Sequence, residues 1–198
     1  MPYFARQTQG ASGAPLFFTC HGTGATEDQF HTLAEQLLPG AHVTSPRGNV
    51  TENGALRYFR RTAEGVYDMD DLAQRRAMMA DFIAKERAIK RPSQTIAMGY
   101  SNGANILAAV ALVRPDLLDT LILMHPLIPW DPAPQPELSG RRVLITAGKR
   151  DPICPADRTQ ALADYLTAQG ADVQIHWHPG GHEVANSEVD AIALFLRG

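Results

Sequence analysis

The chain has 198 residues, of which 44% are hydrophobic, and a formal net charge of −3 at pH 7. This length and apolar content predict a single domain over residues 1–198 with a sizeable core. The mild charge, without a basic run interleaved with aromatic residues, disfavours nucleic-acid binding. No apolar run approaches the roughly 18 residues that a membrane span needs, and the N-terminus lacks the apolar stretch of a signal peptide. We therefore expect a cytoplasmic protein with no membrane partner.

Strand-like and helix-like segments alternate along the chain from residue 15 onward. Apolar runs predict strands near 3–8, 15–20, 41–45, 94–99, 120–124, 142–147 and 173–178. Helical periodicity predicts helices near 27–38, 69–89, 102–113, 156–169 and 184–197. This alternation predicts an α/β fold with a doubly wound, mostly parallel sheet of about seven strands, in which the first strand is a candidate antiparallel edge strand.

The first candidate functional segment is the turn His21–Gly24, which follows the strand at 15–20. A turn flanked by glycines lets a backbone N–H face a substrate oxygen, so we predict that the N–H of Thr23 contributes to an oxyanion hole. A phosphate-binding loop is the alternative. It is disfavoured because the G-x-x-x-x-G-K-[ST] pattern is missing and no lysine lies nearby.

Residues 46–68 form a long segment without a clear periodic pattern, and loops of such length in compact domains are usually functional. We expect this segment to form one wall of the substrate pocket, with Arg57, Phe59 and Arg60 as candidate contacts. An acidic substrate group could be bound by these arginines and Arg61. The favoured alternative is that each arginine pairs with nearby acidic residues, namely Glu64, Asp68, Asp70 and Asp71.

The pentapeptide Gly99-Tyr100-Ser101-Asn102-Gly103 lies between a strand-like and a helix-like segment. This G-x-S-x-G pattern is typical of a nucleophile elbow, a turn so tight that side chains two positions before and after the central residue would collide. Ser101 is therefore the candidate nucleophile. The backbone N–H of Asn102, the next residue, is the second predicted donor of the oxyanion hole.

Only residues 125–141 separate the predicted strands at 120–124 and 142–147. This connection is too short for a separate helical lid, so we expect no cap domain and an open site. Leu127, Ile128 and Trp130 could line the pocket or a dimer contact, and we take Trp130 as a candidate pocket residue.

Asp151 follows the strand at 142–147, and His182 follows the strand at 173–178. The predicted roles are those of a catalytic triad, in which the histidine takes the proton of Ser101 and the aspartate holds the imidazole in the correct tautomer. The chain order Ser, Asp, His is that of the α/β-hydrolases. Asp131 is the rival acid, because it too follows a strand.

Other functions compete with this interpretation. His176, His178 and His182 have a spacing that could bind zinc, although we expect no metal because His182 is better explained by the triad. A ligand-binding protein that retains the triad but barely turns over is a further alternative. Cys20 and Cys154 are interpreted as reduced thiols, with a bridge between them as the alternative.

Several motifs together carry a family resemblance: HGTG at 21–24, SPRGN at 45–49, RYFRR at 57–61, GYSNGAN at 99–105, AGKRDPICP at 147–155 and HWHPGGH at 176–182. With them the chain resembles, over nearly its whole length, the carboxylesterase and phospholipase-like branch of the α/β-hydrolase superfamily, and within it the small bacterial hydroquinone-type carboxylesterases. Cys154 departs from this pattern, which favours an aliphatic residue there.

The resemblance implies a cofactor-free serine esterase, often a homodimer, that acts on small to medium carboxylic esters through the same triad. Thioesterase or lysophospholipase-type activity on that triad is the alternative substrate class.

Overall fold

The structure, a computed structural model, describes residues 3–198. In chain order its strands are β1 (Ala5–Thr8), β2 (Leu16–Cys20), β3 (His42–Pro46), β4 (Val50–Glu52), β5 (Ala55–Arg57), β6 (Arg61–Ala63), β7 (Val66–Tyr67), β8 (Thr95–Tyr100), β9 (Thr120–Met124), β10 (Arg142–Gly148) and β11 (Asp172–His178). The α-helices are α1 (His31–Leu37), α2 (Met69–Lys90), α3 (Asn102–Ala111), α4 (Ala156–Ala168) and α5 (Asn186–Arg197).

Seven strands form one central sheet in the order β1-β3-β2-β8-β9-β10-β11. Every neighbouring pair is parallel except β1 and β3, which are antiparallel. The prediction of a mostly parallel, doubly wound sheet with an antiparallel edge strand is therefore confirmed. Parallel strands point their carboxyl ends to one edge of the sheet, so the turns after β2, β8, β9, β10 and β11 meet there.

The helices cover both faces of the sheet. Side chains of α2, α3 and α4 pack with one set of strand residues, which includes Leu16 and Phe18. Side chains of α1 and α5 pack with the alternate set, which includes Phe17. Because successive strand residues point to opposite faces, a strand that is covered on both sides is apolar throughout. This explains why β2, β9 and most of β8 are nearly continuous apolar runs in the sequence.

The segment 46–68 differs from its prediction as an unpatterned loop. It contains two small antiparallel hairpins, β4 with β5 and β6 with β7. The first hairpin turns at Asn53 and Gly54, which have φ angles of 49° and 86°. Asparagine and glycine tolerate such positive φ angles best, and this is why Asn-Gly is a strong two-residue hairpin turn.

The connection between β9 and β10 carries no separate cap in the described residues. Its regular structure is one short 3₁₀ helix, Pro136–Leu138. No helix within residues 3–198 is both long and apolar enough to cross a membrane.

Candidate active site

Ser101 lies in the turn that joins β8 to α3, and its backbone is strained, with φ 52° and ψ −117°. The glycines on either side make the turn possible. A Cβ atom added at Gly99 would lie 2.5 Å from the backbone carbon and oxygen of Gly103, and one added at Gly103 would lie 2.3 Å from the carbonyl oxygen of Cys20. Strain of this kind persists only where the surroundings enforce it, and it lifts the Ser101 hydroxyl above the sheet edge.

Ser101, His182 and Asp151 form a continuous chain of hydrogen bonds. The Nε2 atom of His182 lies 2.9 Å from Ser101 Oγ. The other ring nitrogen, Nδ1, lies 2.6 Å from Oδ2 of Asp151. The side chain of His182 is 17% exposed, whereas that of Asp151 is 0% exposed. The structure thus brings together the three residues that the sequence assigned to one site, although β10 and β11 deliver two of them from separate turns.

The Asp151 carboxylate accepts four hydrogen bonds. Oδ1 accepts the backbone N–H groups of Ile153 at 2.8 Å and Cys154 at 2.9 Å. Oδ2 accepts from His182 and from a second histidine, His125, at 2.8 Å. Burial raises the pKa of Asp151, but these hydrogen bonds outweigh burial and lower the pKa below that of an ordinary aspartate. The group is therefore a fixed, buried anion.

Tyr100 fixes the loop that carries His182. Its hydroxyl donates to the carbonyl oxygen of His182 at 2.5 Å, and the two rings are tilted by 35° with centroids 5.4 Å apart. The backbone N–H of Arg150 donates to the carbonyl of Gly180 at 2.9 Å, which ties this loop to the turn of Asp151. Gly180 is therefore part of a hydrogen-bonded connection between the two loops.

The turn His21–Gly24 is held in place by the first hairpin. The Nη1 atom of Arg57 donates to Thr23 Oγ1 at 2.8 Å, and Gly24 N–H donates to the carbonyl of Leu56 at 2.9 Å. The buried ring of His21 accepts the N–H of Gly48 at 2.9 Å, and burial lowers its pKa. The segment 46–68 thus positions the predicted oxyanion turn as well as lining the site.

The backbone N–H groups of Thr23 and Asn102, both near Ser101, have no hydrogen-bond acceptor within residues 3–198. The side chain of Asn102 is otherwise engaged, because its Oδ1 accepts the N–H of Tyr58 at 2.7 Å. Side-chain bonds thus fix both residues while their N–H groups stay free, as an oxyanion hole requires.

Two cavities adjoin Ser101. The narrower has a volume of about 20 Å³ and is lined by Thr23, Arg57, Arg61, Glu64, Tyr67, Ser101, Asn102, Asn105, Leu127, Ile153 and Cys154. The wider has a volume of about 280 Å³ and is lined by Thr23, Arg61, Glu64, Tyr100, Ser101, Ile153 and His182. Since a buried water needs at least about 10–15 Å³, the narrower cavity has room for little more than one small group.

The predicted pocket residues fall in different places. Arg57 lines the narrower cavity, but Phe59 is fully buried in the core. Arg60 points outward and lies 3.3 Å from Asp71, while Trp130 lines a different cavity, beside α4. Neither described cavity at Ser101 is lined by Phe59, Arg60 or Trp130. Their sequence position in or near the loops gave no information on side-chain direction.

Each arginine of the segment pairs with carboxylates. Arg57 lies 3.2 Å from Glu52, and Arg61 pairs with both Glu52 and Glu64. Arg60 also lies 3.6 Å from Asp68. The favoured alternative of structural pairing therefore describes these contacts, with Glu52 as a partner that the sequence interpretation did not name.

Sequence reasoning missed two buried residues next to Asp151, namely His125 and Glu188. His125 follows β9 directly, has a φ angle of 51° and a side chain that is 0% exposed. Glu188 lies in the first turn of α5, and its carboxylate is also 0% exposed. The strand-end position of His125 was a usable signal. The contact between His125 and Glu188, which are 63 positions apart in the sequence, had no such signal.

The structure also shows where the residues of the other sequence-based hypotheses lie. Asp131, the rival acid, is exposed and lies beside Trp130. His176 contacts Ser187 and belongs to neither cluster of ligand-type side chains in the described chain, which are His125, Asp151, His182 and His125, His178, Glu188. Cys20 and Cys154 are both free and buried.

Comparison with known proteins identifies a matching family and similar proteins. Residues 54–191 match the Dienelactone hydrolase family. The Bacillus subtilis (strain 168) protein MhqD, whose name proposes a hydrolase, is 40% identical over 172 residues, which are 86% of each chain. Among solved structures, the Agrobacterium tumefaciens protein Atu2452, of unknown function, is 52% identical with a TM-score of 0.94 and covers 98% of this chain and 96% of its own. The Bacillus cereus carboxylesterase is 34% identical with a TM-score of 0.90, over 98% and 94% of the two chains.

Proposed function

The chain belongs to the dienelactone hydrolase family of the α/β-hydrolase superfamily, and from this premise we propose that it is a serine carboxylesterase. Ser101 is the nucleophile, His182 the general base and acid, and Asp151 the carboxylate that orients His182. One observation carries the proposal: His182 Nε2 lies 2.9 Å from Ser101 Oγ while Nδ1 lies 2.6 Å from Asp151 Oδ2. A serine hydroxyl is unreactive near neutral pH until an adjacent base removes its proton.

In the proposed reaction Ser101 Oγ attacks the ester carbonyl while its proton passes to His182 Nε2. The backbone N–H groups of Thr23 and Asn102 stabilise the negative charge that develops on the carbonyl oxygen. His182 then protonates the leaving alcohol and an acyl-enzyme remains on Ser101. A water molecule, deprotonated by His182, hydrolyses this ester and restores the hydroxyl.

The proposed substrates are esters of small to medium size. The cavities beside Ser101 measure about 20 and 280 Å³, and no separate cap covers them in the described chain. Their walls combine apolar groups such as Ile153 with the paired side chains of Arg61 and Glu64. This wall suits a small, partly polar substrate better than a long acyl chain.

The test is hydrolysis of a short-chain chromogenic ester by wild type and Ser101→Ala. We expect the variant to stay folded and to lose about 10⁴ to 10⁶ in turnover. Ser93→Ala, an exposed serine before β8, is the matched control and should retain wild-type turnover. A Ser101→Ala enzyme with more than a tenth of wild-type activity would overturn the assignment. A serine-directed organophosphate should add one adduct, at Ser101, by peptide mass spectrometry.

The same assay separates the remaining substrate classes. Thioesters and lysophospholipids offered beside carboxylic esters distinguish thioesterase and lysophospholipase-type activity, which use the same residues. A protein that binds esters without turnover would show an organophosphate adduct but no product.

The proposal also includes one domain over residues 1–198, a homodimer and a cytoplasmic location. The cytoplasmic location is supported by the two free cysteines. Light scattering coupled to gel filtration tests the oligomeric state.

A further inference from the structure

A second buried histidine, His125, lies next to His182 and contacts the same carboxylate oxygen of Asp151. Its Nδ1 atom is 2.8 Å from Asp151 Oδ2, and its Nε2 atom is 3.1 Å from Glu188 Oε1. The second contact is within ion-pair distance, although Nε2 forms no hydrogen bond among the described residues. Ionised carboxylates only accept hydrogen bonds, so a ring placed between two of them is best accommodated with a proton on each nitrogen.

Glu188 is itself held as a buried anion. Thr146 Oγ1 donates to Oε1 at 2.5 Å, and the backbone N–H of Ala185 donates to Oε2 at 2.6 Å. Burial raises the pKa of Glu188, but its contacts with His125, Thr146 and Ala185 outweigh burial and lower that pKa. The ion pairs described for Asp151 and Glu188 involve histidines alone. Two buried carboxylates therefore depend on a histidine for their positive partner.

The groups around His125 favour its protonated form. Burial lowers the pKa of His125, but Glu188 and Asp151 outweigh burial and raise it above the ordinary histidine value. The rings of Tyr100, His178 and His182 have centroids 5.7, 5.4 and 5.1 Å away, and Cys154 Sγ donates to the His125 carbonyl. None of these contacts places a second fixed cation against the ring.

We propose that His125 is a positioning residue: as an imidazolium held between Glu188 and Asp151, it fixes the oxygen of Asp151 that receives His182. The inference rests on the proposed function, because it deepens the role of the same site. Both histidines share Oδ2, so the position of His125 defines the direction from which His182 Nδ1 must approach. The catalytic aspartate is thereby anchored to α5, a helix that contributes nothing else to the site.

The imidazolium also has an electrostatic consequence. With ring centroids 5.1 Å apart, a positive charge on His125 opposes a second positive charge on His182. Protonation of His182 removes the general base and produces the acid limb of a pH–rate profile. A variant that lacks the charge on His125 should therefore lose this repulsion.

A metal ion is the competing explanation, since His125, His178 and Glu188 converge and the Nε2 atoms of both histidines lack hydrogen bonds. The position of the ring proton of His178 argues against a bound metal ion. Its Nδ1 accepts the backbone N–H of Gly180 at 3.1 Å, so the ring proton lies on Nε2, which faces Glu188 Oε2 at 3.4 Å. A metal at this point would need that proton removed from a neutral imidazole.

The first experiment measures protonation directly in the wild-type protein, without any activity assay. Nitrogen-15 NMR of the histidine rings distinguishes imidazolium from each neutral tautomer. We expect the His125 ring to show two protonated nitrogens at pH 7, and His178 to show one, on Nε2. A neutral His125 at pH 7 would overturn the inference. So would zinc or another metal bound at one ion per chain in the purified protein, with metal-shifted histidine signals.

The second experiment removes the charge and retains the hydrogen bond. His125→Asn is chosen because asparagine tolerates the positive φ at this position and its amide can donate to Asp151. His125→Asn/Glu188→Gln also removes the carboxylate that would otherwise be left unpaired, so a folded variant is available if the single one is unstable. Asp190→Asn, an exposed carboxylate on α5, is the matched charge control.

We expect the acid limb of kcat/KM to move to higher pH by about one to two units in His125→Asn and to stay in place in Asp190→Asn. In the double variant the limb should move in the same direction but less, because the Glu188 charge is lost as well. The NMR titration midpoint of the His182 ring should move in the same direction. A folded His125 variant with lower kcat and an unmoved acid limb would reduce His125 to a purely structural role and refute the proposal. These outcomes are independent of the Ser101 adduct, which tests the proposed function by itself.

Discussion

Replacement of Asp151 by asparagine should inactivate the enzyme and destabilise it at the same time, because the carboxylate serves four donors. The amide oxygen of asparagine can still accept the N–H groups of Ile153 and Cys154. The amide nitrogen then replaces Oδ2 and faces the N–H donors of both His182 and His125. Donors cannot pair with donors, so the imidazolium of His125 loses this hydrogen bond and the neutral His182 ring must move its proton to Nε2.

The size of both effects follows from these contacts. His182 is the more exposed ring and changes more easily, and with its proton on Nε2 it can no longer accept the proton of Ser101. The equivalent change in a Ser-His-Asp protease lowers kcat by about 10⁴, and we expect a loss of similar size. Two hydrogen bonds to a charged group are lost, each contributing about 1.5–3 kcal/mol, so the free energy of unfolding should fall by about 3–6 kcal/mol.

The assay is steady-state hydrolysis of a short-chain chromogenic ester together with urea unfolding. Asp131→Asn is the control, since Asp131 is exposed and should change stability by less than about 0.5 kcal/mol. If Asp131→Asn lowers kcat more than Asp151→Asn, the wrong carboxylate has been assigned. If Asp151→Asn loses activity with unchanged stability, the four hydrogen bonds contribute less than their geometry indicates.

Three further predictions concern the turn and the pocket. Gly99→Ala places a Cβ 2.5 Å from the backbone of Gly103 and should cost about 3 kcal/mol in urea unfolding; a loss under 0.5 kcal/mol would contradict the steric argument. Arg57→Met removes the donor to Thr23 Oγ1, so kcat should fall about ten- to a hundredfold with KM nearly unchanged, and a change in KM alone would indicate substrate binding instead. Among chromogenic esters, rates should rise from acetate to butyrate and then decline, because each buried CH₂ contributes about 0.8 kcal/mol only until the cavities at Ser101 are full. Preference for palmitate at matched solubility would require a closing lid.

The sequence predicted the central sheet well because its strands are covered on both faces. Runs such as Leu16–Cys20 are largely apolar and buried at every position, and the turn residues after them mark each strand end. The chain order of these turns then placed Ser101, Asp151 and His182 at one edge. Parallel topology turns distant sequence positions into neighbours, and this is the part of the site that a single sequence can reveal.

The small hairpins and the side-chain directions were harder to predict. Asn53-Gly54 was a readable hairpin signal that was missed because the flanking strands have only three residues each. The burial of Phe59 and the outward direction of Arg60 depend on tertiary packing around these side chains. The residues adjacent to them in the sequence do not determine it. The His125–Glu188 contact is a product of tertiary packing, so sequence spacing could not show it.

The uncapped connection between β9 and β10 has a consequence for how this scaffold can diversify. Leu127 N–H is anchored to Asn105 Oδ1 at 2.7 Å, and Gln135 N–H to Gln169 Oε1 at 2.7 Å. Between these anchors Ala133 and Pro134 are exposed. Extra residues inserted there would extend outward from the surface without disturbing either anchor, because exposed loop tips accept insertions at little free-energy cost. Length can therefore be added to this loop while Ser101, Asp151 and His182 keep their places.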